Sequence, residues 1–223
     1  MEFVQPFFPW IENIHPRTAL FRGRAYLFIK RLLDLLLTIV SVPIWLPLIG
    51  LSVLLITIES PGSPAVFTQL RTGKGGKRFR LYKLRSMVPN AERLKKELAH
   101  LNELEWPDFK ITDDPRITWI GRFLRKSSLD ELPQLFNVLR NEMSLVGPRP
   151  TSFSADTYQL WQTERLEVLP GITGLWQLYG RGETEFTQRL RMDIAYLERR
   201  CLWLDIQILF RTVVAVFERR GAK

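Results

Sequence analysis

Leu35 to Ile58 is a run of 24 residues without one charged side chain, and it restricts the fold more than any other stretch of the chain. A straight helix of that length reaches ~36 Å, more than the ~30 Å of a bilayer's hydrocarbon core. The run is too long and starts too far into the chain for a secretory leader, and no small-residue cleavage site follows it, so it is expected in the mature protein. Pro43 and Pro47 fall inside it. Each removes a backbone donor and crowds the preceding turn, so the helix should bend there. Arg17, Arg22, Arg24, Lys30 and Arg31 precede the run; Arg71, Lys74, Lys77, Arg78, Arg80, Lys83 and Arg85 follow it, with no acidic residue between 71 and 85. Both flanks carry the sign of cytoplasmic segments. Two arrangements remain open: a single span kinked at the prolines, and a re-entrant helix that turns at them and leaves on the side it entered. The charge on both flanks favours the second.

Charge also narrows the partners. Across 223 residues, 32 Lys and Arg against 23 Asp and Glu give a net charge of +9, which points to anionic partners: nucleic acid, a phospholipid surface or phosphorylated small molecules. The single Cys201 excludes an intramolecular disulfide, and with only His15 and His100 beside it no zinc or haem site can form, so any metal must be bound through oxygen.

Beyond Glu59 the pattern becomes that of a small globular unit. Ser60 to Pro64 reads as a turn, Ala65 to Leu70 as a short strand, Arg71 to Lys77 as a glycine-rich basic loop, and Arg78 to Arg85 as a half-buried strand. Ala91 to Glu103 and Phe153 to Val168 read as helices, with short apolar elements at Ile117 to Leu124 and Leu132 to Leu139. The last forty residues space their apolar side chains at helical intervals among arginines. They fit a helix packed on the core and also one lying in a membrane interface, the latter favoured by Trp203.

Chemistry concentrates in Arg125-Lys126-Ser127-Ser128-Leu129-Asp130-Glu131-Leu132-Pro133-Gln134. Ser128 with Glu131 can be a capping box, but Pro133 would then fall at the fifth helical position, where it costs a backbone bond. A helix starting at Pro133 leaves Asp130 and Glu131 just outside an N-terminus that attracts phosphate, and carboxylates there need a cation. Mg²⁺ held by one carboxylate and by substrate phosphates satisfies that need, and such a carboxylate can attack phosphorus. Gly147-Pro148-Arg149-Pro150 stiffens the backbone around one guanidinium, which suits a grip on phosphate, but on spacing alone a polyproline-like surface corner with a solvated Arg is the stronger reading. Pro170 to Gly174, with Trp176, Gln177 and Gly180-Arg181, is by itself only a glycine turn with polar neighbours.

Taken in order, these segments resemble the bacterial sugar transferases, the monotopic phosphoglycosyl transferases that load a polyprenyl phosphate carrier. The resemblance spans roughly residues 28 to 220. It rests on Lys30-Arg31 and Asp34 before the proline-broken helix, Phe67 to Arg71, Tyr82-Lys83-Leu84-Arg85-Ser86-Met87, Arg125 to Gln134, Ser144 to Pro150, and Pro170 to Arg181. Many relatives place Ser directly before the proline of the break, whereas here the order is Ser41-Val42-Pro43.

The resemblance implies transfer of sugar-1-phosphate from a UDP-sugar to undecaprenyl phosphate with release of UMP, through a phosphosugar intermediate on Asp130. Asp130 and Glu131 take the catalytic positions, with Mg²⁺ on Asp130. Arg149 takes that of a phosphate clamp, and Lys83 and Arg85 face phosphate or headgroup; Arg125, Gln177 and Arg181 complete the expected substrate contacts. Asp193 matches a further acidic position. The expected fold is mainly α with a few short β-strands: an interfacial extension over 1–29 carrying Phe3, Phe7, Phe8 and Trp10, a re-entrant membrane helix over 30–59, and a cytoplasmic catalytic domain with amphipathic interfacial helices over 60–223. The expected setting is the cytoplasmic face of a bacterial inner membrane, with the bilayer as a partner, no nucleic acid, and a homo-oligomer compatible but not required. The length of the 90–113 segment resembles members acting on UDP-hexoses such as glucose or galactose. The rival is a membrane-anchored basic scaffold that binds anionic lipid or nucleic acid through residues 71 to 85 and the C-terminal helix. It accounts for the charge but not for Asp130-Glu131 beside Pro133.

Overall fold

The computed structural model describes residues 9–12, 14, 19–103, 109–179 and 185–218; Phe3, Phe7, Phe8 and Arg181 lie outside them. A short helix α1 (Pro9–Glu12) is followed by α2 (Gly23–Val40) and α3 (Val42–Glu59). The break between α2 and α3 falls at Ser41, ahead of both prolines, which corrects the expected bend. Pro43 sits in the first turn of α3, where a missing donor costs nothing, and only Pro47 lies within the helix. Ser41 Oγ donates to the Leu37 carbonyl at 2.6 Å and the Thr38 carbonyl at 3.2 Å, and the Trp45 indole donates to Thr38 O at 3.0 Å. Side chains thus satisfy the end of α2, with valine between Ser41 and the proline.

Trp45, Ile49, Ser52 and Ile56 form the single buried stripe of α3. The helix is apolar on its other faces too: it has a mean hydropathy of 2.0, is long and apolar enough to cross a membrane, and only 22% of it is buried. Ile44, Leu46, Leu51, Leu54 and Ile58 face outward, beside Phe28, Leu32, Leu36, Ile39 and Val40 of α2.

Both outer ends of this helix pair dock on the same globular unit. From α2, Arg31 donates to the Val138 and Leu139 carbonyls, at 2.8 and 3.2 Å. Asp34, fully buried, accepts from Ser144 Oγ at 2.7 Å and Leu145 N at 3.1 Å. Asp205 gathers Lys30 Nζ at 3.2 Å, Tyr26 OH at 3.0 Å and Tyr196 OH at 2.7 Å. From the end of α3, Glu59 Oε1 accepts the Ile120 amide at 2.9 Å and Ser60 O accepts Arg85 Nη2 at 3.4 Å.

The globular unit opens with an antiparallel hairpin, β1 (Val66–Thr72) and β2 (Arg78–Leu84), in the register Val66↔Leu84 to Thr72↔Arg78. The basic loop closes it because Gly75 and Gly76 supply positive φ, 63° and 76°. Phe79, Leu81 and Leu84 of β2 point into the core. Short helices follow: α4 (Ala91–Glu97), α5 (Trp119–Lys126) and α6 (Gln134–Leu139). The helix expected to run to Glu103 stops at Glu97, with a 3₁₀ turn at Ala99–Leu101, because Glu103 is drawn into a loop. Its amide donates to Lys110 O, and its carboxylate accepts Thr112 N and Oγ1 at 2.6 and 2.7 Å.

A parallel pair, β3 (Ser144–Val146) and β4 (Gly171–Thr173), forms the second sheet. There a Cβ on Gly171 would sit 2.1 Å from Gly147 N. The expected α-helix over Phe153 to Val168 is instead two 3₁₀ segments, Ala155–Thr157 and Leu160–Glu167, with extended backbone at Tyr158 and Gln159. Arg78 Nη1 takes the Ser152 and Phe153 carbonyls at 3.0 and 2.9 Å, so those carbonyls are not free to start an α-helix.

Three helices end the fold: α7 (Leu175–Tyr179), α8 (Phe186–Arg199) and α9 (Leu202–Phe217). Met192, Tyr196, Leu197, Leu204 and Ile208 join Ile11, Ile14 and Val146 in one core cluster. The last helix serves both sequence readings: Leu204 and Ile208 pack inward, while Trp203 (60% exposed) and Phe210 (70%) face out.

Candidate active site

Asp130 and Glu131 lie on a 3₁₀ turn, Leu129–Glu131, with Pro133 at the N-cap of α6. Ser128, at φ 57°, makes no capping bond, so the capping box does not form and both carboxylates stand ahead of the helix. The cations they require come from two distant elements. Lys83 Nζ from β2 lies 2.8 Å from Glu131 Oε1 and 3.9 Å from Asp130 Oδ2. Arg149, between its two prolines after β3, places Nη2 2.8 Å from the same Glu131 oxygen.

Sharing the cations this way makes the neighbours chemically unlike. Burial alone would push the Glu131 carboxyl up, but Arg149 and Lys83 outweigh it and hold the group well below the usual carboxylate range. Burial pushes the Asp130 carboxyl up; Lys83 opposes this, and the adjacent Glu131 charge adds to it. Glu131 is therefore a fixed anion that organises two cations. Asp130 is a buried, weakly paired and more basic carboxylate, suited to nucleophilic attack.

Both carboxylates open into a cavity of about 650 Å³. Lys83, Arg85, Arg125, Arg149 and Gln177 all line it, so the structure brings together every expected site residue that it describes. Arg125 Nε donates to Ser86 Oγ at 2.8 Å, which aims the guanidinium along the wall next to Asp130. Arg71 Nε, Arg85 Nη1 and Gln177 Oε1 are buried polar atoms of lining residues that have no hydrogen-bond partner. An orphaned buried donor is costly unless a ligand completes it. Arg71 belongs to the site although its sequence context marked it only as part of a basic run. Burial, with Arg149 and Arg78 nearby, pulls its guanidinium down to about 10, an environment that an anion would relieve. Arg189 and Trp176 also line the cavity; the Trp176 ring has the Arg149 and Arg189 guanidinium carbons 5.7 and 5.3 Å from its centroid.

Behind Arg149 stands a buried ion pair that composition could not reveal. Arg165 Nη2 is 2.5 Å from Asp193 Oδ2 and 2.5 Å from the Arg149 carbonyl oxygen, and Asp193 also accepts the Arg149 amide. The peptide of the clamp is held on both sides.

Among the described residues no group of three or more His, Cys, Asp or Glu could hold a metal by itself. The donors fit a hard cation of the Mg²⁺ kind all the same, because that ion needs only one or two carboxylates, keeps several waters and is completed by phosphate oxygens. Asp130, whose ion pair with Lys83 spans 3.9 Å, is the carboxylate available to it.

The family model described as "Bacterial sugar transferase" matches residues 25–219. The undecaprenyl-phosphate galactose phosphotransferase of Salmonella typhimurium is 44% identical over 89% of this chain and 42% of its own length. The UDP-glucose:undecaprenyl-phosphate glucose-1-phosphate transferase of Caulobacter vibrioides is 42% identical over 86% of this chain and 71% of its own length. The exopolysaccharide production protein ExoY of Sinorhizobium fredii is 37% identical over 86% of this chain and 87% of its own length. The chain spans less than half the length of several curated relatives it matches, the Salmonella protein among them.

Proposed function

The chain belongs to the bacterial sugar transferase family, and from that premise we propose that it transfers sugar-1-phosphate from a UDP-sugar to undecaprenyl phosphate and releases UMP. The observation that carries this reading is the unequal dyad: Glu131 holds both Lys83 and Arg149, which leaves Asp130 as the reactive carboxylate in a cationic cavity.

In the first step an Asp130 carboxylate oxygen attacks the β-phosphorus. The bond from that phosphorus to the bridging oxygen breaks, and its electron pair leaves on UMP. Lys83 and Arg149 neutralise charge on the phosphate oxygens, and Arg149 keeps its aim because its backbone is held by Arg165 and Asp193. In the second step a phosphate oxygen of the lipid attacks the phosphosugar on Asp130. The phosphorus–carboxylate bond breaks, a lipid-linked diphosphate sugar forms, and Asp130 is regenerated. Mg²⁺, when bound by Asp130 and substrate phosphates, supplies charge neutralisation at the diphosphate.

We place the chain at the cytoplasmic face of a bacterial inner membrane, with α2 and α3 forming a re-entrant pair. Lys30, Arg31 and Asp34 at one end and Glu59 at the other all dock on the same globular unit, which supports a chain that doubles back. A hexose donor such as UDP-glucose or UDP-galactose fits the length of the 90–113 segment and the sugars, glucose and galactose, for which the Caulobacter and Salmonella relatives are named. The scaffold reading loses its main support, because most of its basic stripe is occupied internally. Arg71 donates to Gln69 and Pro150, Arg78 to Thr72, Ser152 and Phe153, Lys83 to Glu131 and Arg85 to Ser60.

The deciding experiment follows UMP release from a panel of UDP-sugars with Mg²⁺ and undecaprenyl phosphate, in the wild type and in Asp130→Asn. Release that requires the metal, the lipid and Asp130 is the expected result. Equal release by the variant would overturn the covalent mechanism.

A further inference from the structure

We infer that Arg85 is the seat of the acceptor's phosphate, the lipid-borne phosphate monoester of the second half-reaction, and that the donor's diphosphate is held elsewhere, by Lys83, Arg149 and Arg71. The assignment rests on the two-step reading above.

A site that serves both a soluble nucleotide and a membrane lipid must receive its phosphates from two directions. The lipid's phosphate is tied to the plane where an apolar helix leaves the bilayer. In this chain that plane is the end of α3, where Ile58 is exposed and Ser60 caps the helix. Arg85 touches that cap: its Nη2 donates to Ser60 O at 3.4 Å, and its own amide donates to Ala65 O at 2.8 Å. The remaining Nη1 is buried and without a protein partner, on a residue that lines the same cavity as Asp130. Arg85 is thus fastened to the membrane helix through one nitrogen and offers the other to the site.

Strand geometry connects this group to the chemistry. Lys83 in β2 and Arg85 just past its end are two residues apart, and the Arg85 amide bond to Ala65 O continues the hairpin, so they share a face, with Cα atoms ~7 Å apart. Lys83 reaches the dyad, and Arg85 lies one step further toward α3. Phe67, directly opposite Lys83 in the hairpin register and 41% exposed, also lines the cavity and gives this entrance an apolar lip suited to a lipid. Arg149 and Arg71 lie away from the cap: Arg149 grips Glu131 and neighbours Trp176, and Arg71 donates to Pro150 O.

The two-step mechanism gives a clean test, because kcat/KM for the UDP-sugar reports only the first half-reaction and kcat/KM for the lipid only the second. Arg85→Gln and Arg85→Lys are to be compared with wild type at varied UDP-sugar and at varied undecaprenyl phosphate in detergent–lipid micelles, with inorganic phosphate as a competitor. For Arg85→Gln, kcat/KM for the lipid should fall about 10- to 100-fold, as expected for loss of a charge-assisted bond, with a change of less than about twofold for the UDP-sugar. Arg85→Lys should recover part of the loss, and inorganic phosphate should compete with the lipid less well in Arg85→Gln than in wild type. An equal fall in both parameters, a fall confined to the UDP-sugar, or no change would overturn the assignment while leaving the reaction intact. A wild type that releases no UMP from any UDP-sugar would overturn the reaction reading and this assignment with it.

Discussion

Arg165 pairs with Asp193 at 2.5 Å, and the same Arg165 nitrogen holds the carbonyl of Arg149, whose side chain grips Glu131. Burial pushes the Asp193 carboxyl up to about 6, with Arg165 opposing. Two opposite pH responses follow. An acid whose folded pKa lies above its unfolded value of about 3.9 favours the protonated folded state, so its contribution to stability falls as the pH rises from about 4 to about 6. The grip on Arg149 has the other sign: it needs the carboxylate and weakens as the pH falls through about 6. Activity on the UDP-sugar should therefore fall along an acidic limb below about pH 6 while the melting temperature rises. Asp193→Asn should flatten both responses and lower kcat/KM for the nucleotide sugar by roughly tenfold or more. A wild-type profile without that limb, at pH values where the protein stays folded, would show that the pair does not position Arg149.

The unequal dyad makes a separable prediction. With UDP-sugar but no lipid, intact-protein mass spectrometry of the wild type should show one phosphosugar added per chain, and Asp130→Asn should show none. Glu131→Gln keeps the nucleophile but presents a neutral amide to Lys83 and Arg149. Its adduct should form about 10²- to 10³-fold more slowly, the scale expected when electrostatic preorganisation is lost. Adduct formation by Asp130→Asn at the wild-type rate would move the nucleophile to another residue.

Gly121 is where α5 meets the end of β2, and a Cβ there would lie 2.0 Å from the Ser86 carbonyl oxygen and 2.7 Å from Ser86 Cα. Gly121→Ala must push two backbones apart, a change of the overpacking kind worth about 1–3 kcal/mol. The displaced residue, Ser86, accepts from Arg125 beside Asp130, so activity should fall along with stability. A melting temperature within about 1 °C of wild type would contradict the close approach.

Nothing in the sequence around Gly121 announces that contact, and the reason applies to much of the site. Local rules exposed what is local: the hairpin from its alternation and glycine loop, and the dyad's place outside a helix from the awkward position of Pro133. They failed where a distant side chain takes over a backbone group. Arg78 claims the Ser152 and Phe153 carbonyls and turns an expected α-helix into 3₁₀ segments, and Thr112 draws Glu103 out of the end of α4. The dyad's cations were visible as residues but not as partners. Lys83 and Glu131 are 48 positions apart and Arg149 and Glu131 are 18, and only the tertiary fold decides that both cations meet one carboxylate oxygen. Arg71 was hidden for a related reason: seven cations within fifteen residues look alike until burial separates them.

The α2–α3 pair also sets the membrane topology, since a break at Ser41 can serve a kinked span or a re-entrant turn. The docking contacts support the re-entrant turn proposed above. Arg31 and Asp34 tie the first helix to α6 and β3, and Glu59 ties the second to α5, all within one globular unit. A span would put that unit on one face and detach one set of these bonds, leaving Asp34 or Arg31 unpaired in an apolar setting at a cost of several kcal/mol. Single cysteines at Leu20, which is 88% exposed, and at Pro61 just past α3, in a chain whose buried Cys201 is replaced by Ser, should both react with a membrane-impermeant maleimide in inverted vesicles and neither in intact spheroplasts. Labelling of one position from each side would establish a span, and the contacts of Arg31, Asp34 and Glu59 could then not all persist in the bilayer.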